Sequence, residues 1–113
     1  MAGNLGAVTT DPAIDEQIGP DILTQVLVEK DPSPMKLEVL YVEEWPVAID
    51  SVGSSEHVYP ITETSYILEG EGEIEAIGED AVIVSAGDLV TILPDTTCTW
   101  TISKEIQRHY SKG

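Results

Sequence analysis

The chain has no phenylalanine, a single cysteine and only five basic residues, and each shortage excludes something. With aromatics at 5%, packing must come from Val, Ile and Leu, which suits a β-rich core. The five cations are Lys30, Lys36, Lys104, Arg108 and Lys112, and none lies between Leu37 and Ser103. Against 21 acidic residues they leave a formal charge of −16. Such a surface repels phosphate backbones and anionic lipid, so neither nucleic acid nor a membrane is expected as a partner. Net repulsion that keeps the protein soluble accounts for the acidity, with a high-salt host as the sharper alternative. The lone Cys98 excludes an intramolecular disulfide and suits a reducing compartment, the cytoplasm. The N-terminus has neither the basic nor the continuous apolar region of a secretory signal. No apolar run approaches the roughly 20 residues that span a bilayer.

What remains is enough for one domain of 113 residues. Residues 1–24 read as an N-terminal extension, broken by Asp11-Pro12 and Gly19-Pro20, and residues 25–113 as the folded body. Ile22 to Val28 is apolar enough to pair as an edge strand, which Asp31-Pro32-Ser33-Pro34 ends. Ser33-Pro34 is an N-cap followed by proline at the first helical position. A turn or two of helix over Met35–Leu40 would face Leu37 and Leu40 to the body, although Val39 and Tyr41-Val42 support a strand nearly as well.

From Trp45 onward the pattern is strand-like. Ser65–Glu69 is β-rich, and Gly70 and Gly72 permit a sharp bend. Glu71, Glu73 and Glu75 alternate with Ile74 and Ala76, the pattern of a half-buried strand with its acids in water. Turns at Gly78–Asp80 and Ser85–Asp88 flank a returning strand over Ala81–Val84. Leu89–Leu93 follows, then a loop at Pro94-Asp95. Thr97, Thr99 and Thr101 alternate with Cys98, Trp100 and Ile102, and Ile106–Tyr110 could close the sheet. Short strands with turn signals roughly every 8 to 12 residues indicate an all-β sandwich or barrel.

These residues also resemble a known family. Glu63-Thr64-Ser65-Tyr66-Ile67-Leu68-Glu69-Gly70 is similar to the end of the first cupin motif, a Glu, six residues and a Gly. Gly87-Asp88-Leu89-Val90-Thr91 resembles the start of the second. With Trp45-Pro46, Cys98-Thr99-Trp100 and Arg108-His109-Tyr110, the pattern resembles the small single-domain cupins grouped with (S)-ureidoglycine aminohydrolase and the ethanolamine-utilisation cupin. It spans about Ser33 to Tyr110 and implies a jelly-roll-like β-barrel, all-β, of the RmlC-like kind. Where the family has Pro-x-Gly, this chain has Leu93-Pro94-Asp95, which implies a reshaped loop with the strand register kept.

Metal-binding cupins place ligands as His-x-His-x3-Glu, with a further His in the second motif. The resemblance maps these positions onto His57, Tyr59, Glu63 and Cys98. The first three share parity and face one side if the strand is unbroken, and Cys98 shares the apolar face of Trp100 and Ile102. Imidazole, phenolate, carboxylate and thiolate are all metal donors, so His57, Glu63 and Cys98 are the candidate ligands for a divalent Mn, Fe, Ni or Zn ion. The related aminohydrolase is manganese-dependent with a different ligand set. Each residue also has a plainer reading: an exposed His57, a barrel-mouth Tyr59 with its hydroxyl bonded, a buried hydrophobic Cys98. Glu63 is the hardest to explain away, because an inward carboxylate needs a partner or a raised pKa. No cation is close to it in sequence, which disfavours a structural salt bridge, and Arg108 is the one plausible distant partner. Tyr110 reads as packing, Trp45 and Trp100 as core or pocket wall, and His109 lies on the face opposite Arg108.

The expected function is a small-molecule binder whose interior pocket is lined by His57, Tyr59, Glu63, Cys98 and Trp100. The alternatives are a metal-dependent enzyme acting on a small polar metabolite, aminohydrolase- or dioxygenase-like, and a structural or regulatory dimer module. A homodimer is expected from the resemblance and from the open apolar edge at Ile22–Val28.

Overall fold

A computed structural model describes residues 24–113. The elements run β1 (Val26–Lys30), α1 (Pro34–Val39), a 3-10 turn (Val42–Glu44), β2 (Val47–Asp50), β3 (Gly53–Tyr59), β4 (Glu63–Ala76), β5 (Val82–Ser85), β6 (Asp88–Ile92) and β7 (Thr96–Lys112). All pairings are antiparallel within one seven-stranded sheet, in the order β1-β6-β4-β7-β2, with β3 on β7 and β5 on β4. The sheet curls so that its inner face forms the core expected of a β-barrel. No helix among the described residues is long and apolar enough to cross a membrane.

The helical reading of the Ser33-Pro34 segment holds. Ser33 Oγ accepts from Lys36 N at 3.1 Å, and proline opens the helix where its missing N–H costs nothing. Leu37 is half-buried, but Leu40 is the C-terminal cap and stays 36% exposed, so only the first of the two faces the body. Val42, in the 3-10 turn, supplies the buried contact instead. Part of the expected edge strand, Ile22 and Leu23, lies outside the described residues, and the strand that forms starts at Val26.

Two long strands organise the rest. β7 pairs along one edge with β2 and β3 in succession and along the other with β4. The sequence reading divides this segment into two strands, whereas one strand runs from Thr96 to Lys112. β4 is likewise continuous, and the bend expected at Gly70 and Gly72 is a set of register shifts between Ile67 and Gly72. The shifts reverse the parity of burial. Glu63, Ser65 and Ile67 face inward before them, and Gly72, Ile74 and Ala76 after them. Gly70 has φ +99°, and a Cβ there would overlap the Glu105 carbonyl oxygen of β7. The core comprises Ile67, Ile74, Val84, Val90, Ile92, Cys98, Trp100, Ile102 and Ile106 with their neighbours. Burying each of its aliphatic side chains contributes roughly 1.5–3 kcal/mol. Burial, then the charge on Glu79, pushes the Cys98 thiol up to about 11.

Two outcomes follow from this packing. Gly70→Ala should lower the urea midpoint far more than Gly78→Ala. Gly78 also has positive φ, but a Cβ there meets nothing within 4 Å, so its cost is the left-handed strain of about 1–2 kcal/mol. For Cys98 the unfolded thiol titrates near 9.0 and the native one near 11. Its contribution is complete below pH 9 and is lost as pH rises toward 11, because the unfolded state releases the proton first. Urea midpoints at pH 8 and pH 10 should show this fall, and Cys98→Val should show a smaller one.

Candidate functional site

Arg108 extends inward from β7 and meets acids from the strands on either side. Its Nε donates to Asp50 Oδ2 on β2 at 2.7 Å, and its Nη1 donates to Glu63 Oε2 at 2.9 Å and Ser65 Oγ at 2.7 Å, both on β4. The guanidinium lies 5.2 Å from the Trp100 ring centroid and 5.6 Å from that of Tyr110, within cation–π range. The side chains of Arg108 and Glu63 are 11% and 10% exposed. Burial alone would lower the pKa of the guanidinium. Its bonds to Asp50, and then to Glu63, outweigh that and hold it above its ordinary value, so it stays charged.

The inward Glu63 therefore has the distant partner that sequence named, and the salt bridge that sequence disfavoured is present. The short-range absence of cations was a poor guide, because β4 and β7 pair in antiparallel register and bring residue 63 level with the end of β7. Glu63 also faces inward for a different reason than parity with His57. The strand is broken between β3 and β4, and each enters the barrel separately.

Above this cluster lies a cavity of about 410 Å³, walled by His57, Tyr59, Glu63, Arg108 and Tyr110, with Lys112 also among its lining. Tyr59 is buried, and its hydroxyl accepts from Trp100 Nε1 at 2.8 Å. Burial and then the Glu63 charge push its pKa well up, so the phenol stays protonated. His57 shares the inner face of β3 with Tyr59 yet is exposed, and its Nε2 is 2.9 Å from Ser55 Oγ. It also borders a second opening of about 320 Å³ that reaches Asp50 and Trp100. Trp100 lines this second opening from the core but does not line the cavity above Arg108. Cys98 is level with His57 in the β3–β7 register but lies in the core and lines neither opening.

The candidate metal donors are not gathered into one set. Among the described residues no three His, Cys, Asp or Glu side chains converge as a cation site. Glu63 is engaged by a guanidinium, and the Cys98 thiol is kept protonated where a thiolate would be needed. Sequence reasoning missed Asp50 and Ser65. Ser65 shares the parity of Glu63 and could have been found from it, but nothing local marks Asp50, which ends an otherwise apolar strand. A larger cleft of about 540 Å³ lies outside the barrel between α1 and the sheet. Its histidine, His109, is occupied by donating from Nδ1 to the Trp45 carbonyl at 2.8 Å, so the convergent polar chemistry is that of the inner cavity.

Comparison with known proteins agrees with this architecture. A DUF861 family protein from Thermotoga maritima is 34% identical with a TM-score of 0.75, over 78% of this chain and 99% of that one. The EutQ protein of Clostridium difficile has a TM-score of 0.55 at 16% identity, over 77% of this chain and 66% of that one. A DUF1255 protein of unknown function from Acidithiobacillus ferrooxidans has a TM-score of 0.55 at 20% identity, over 56% of this chain and 60% of that one. These last two share the fold alone. Among curated proteins none matches this chain. The EutQ-like cupin domain matches residues 37–110, a span that holds the Glu63 motif, the second-motif strand and Arg108, and the chain belongs to the EutQ-like cupin family.

Proposed function

We propose that the protein binds a small, uncharged, oxygen-bearing molecule in the cavity above Arg108. The cavity volume falls within the roughly 300–1,000 Å³ typical of small-molecule sites. The observation that carries the reading is a pair of donors at its wall. The Tyr59 hydroxyl uses its oxygen to accept from Trp100, and among the described residues its O–H has no acceptor. Arg108 uses Nε and Nη1, and its Nη2 has no partner among the same residues. Buried donors favour a bonding partner, and a carbonyl, amide or hydroxyl oxygen would satisfy both. The charge on Arg108 is already opposed by two carboxylates, Asp50 and Glu63, which disfavours a further anion. The remaining oxygens of those carboxylates can accept from a ligand hydroxyl or amide.

We also propose that two copies associate. Among the described residues β1 pairs only with β6, and β2 only with β7, so the path ends in an open edge on each side. Leu27, Val47 and Ile49 on these strands are 45%, 47% and 62% exposed, an arrangement that a two-fold contact between copies would cover.

Thermal shift against a library balanced among neutral, anionic and cationic metabolites tests the ligand reading. Stabilisation is expected from neutral polyols or amides. Tyr59→Phe should weaken that binding by about tenfold, the worth of one hydrogen bond. A library that stabilises nothing, or hits indifferent to Tyr59→Phe, would overturn the reading. Light scattering after size exclusion should give twice the chain mass of 12.2 kDa, and a monomer at micromolar concentration would end the dimer proposal.

A further inference from the structure

We infer that Arg108 is the resident cation of this site, its guanidinium standing where a divalent ion would have to bind Glu63, so that the cavity works without metal. The inference deepens the ligand reading, and rests on it for what the cation is used for. Three observations carry it. First, both acids that could hold an ion are committed. Asp50 and Glu63 accept from different nitrogens of one guanidinium at 2.7 and 2.9 Å. A metal on Glu63 would have to displace Nη1 or sit beside a fixed positive charge.

Second, the guanidinium is held on several sides. It lies over the Trp100 and Tyr110 rings, while Asp50, Glu63 and Ser65 accept from its nitrogens. A planar fork suits such a slot, and a compact ion does not. Third, the other candidate ligands do not converge on Glu63. His57 borders the same cavity but is exposed on β3 beside Ser55, and Cys98 is in the core. A site of this kind carries a permanent charge that neither exchanges nor changes oxidation state. It offers a ligand oxygen directed N–H donors in place of an open coordination position.

Elemental analysis of untagged protein, treated with EDTA and dialysed against zinc or manganese, tests this in three forms. Wild type and Glu63→Gln should carry the same trace, below about 0.1 ion per chain. Arg108→His releases Asp50 and Glu63 and adds an imidazole beside them. It should take up about one zinc per chain and gain melting temperature with it. About one ion per wild-type chain, lost in Glu63→Gln, would overturn the inference, as would a folded Arg108→His that takes up no zinc. Close to one ion held equally by wild type and Glu63→Gln would overturn it as well, because Asp50 and His57 remain at the site in that variant. If Arg108→His does not fold, the comparison of wild type with Glu63→Gln decides. Ligand binding is scored separately by thermal shift with and without EDTA. A failed ligand screen would remove the binding proposal and leave the metal result standing.

Discussion

A buried carboxylate in a chain with so few cations has little choice of partner, and the interior of this protein is arranged around that scarcity. Arg108 is the one guanidinium in the sequence. It lies on the strand that β2 and β4 flank, and it reaches an acid on each. Removing either acid would leave the cation partly compensated by the other. Removing the cation would strand two acids against apolar walls, the kind of change that costs about 3–5 kcal/mol for a buried pair. The ion cluster, the Tyr59–Trp100 hydrogen bond and the two aromatic faces form one contiguous unit. The cavity is therefore lined by groups that already hold each other in place, which lowers the ordering cost of admitting a ligand.

Much of this was legible in the sequence, for identifiable reasons. Alternation of Cys98, Trp100 and Ile102 with threonines marks a one-faced strand, and the inward members are those that form the core. The Ser33-Pro34 cap is a local signal and was read locally. The glycines at 70 and 72 announced a bend, and both meet β7 backbone too closely for a side chain. What escaped was non-local. The break between β3 and β4 means that His57 and Glu63 reach the same cavity from separate strands and not along one unbroken alternation. The reversal of burial along β4 depends on where β7 lies, which no window of sequence contains. Asp50 was invisible because its importance comes entirely from a residue 58 positions away. His57 shares the inward parity of Tyr59 and is nonetheless exposed.

Membership in the EutQ-like cupin family fixes the scaffold and leaves the chemistry to the site, as is general for folds that host many activities. The position of the motif glutamate is retained here, yet its partner is a guanidinium. The motif glutamate here is an ion-pair partner of Arg108.

The length of β7 has a further consequence, for synthesis. β2, β3 and β4 all pair with it, and among the described residues it follows every other element along the chain. Until residues 96–112 have emerged from the ribosome, β2 and β3 have no strand to pair with, and β4 lacks the partner that covers most of its length. The apolar residues of the earlier strands then wait in a chain that cannot close. Such a topology, rich in long-range pairings, folds late and slowly. Acidic residues spread through the waiting segment, with no basic residue between Leu37 and Ser103 to neutralise them, give the unfinished chain a self-repelling charge. That charge would hold nascent copies apart until β7 arrives.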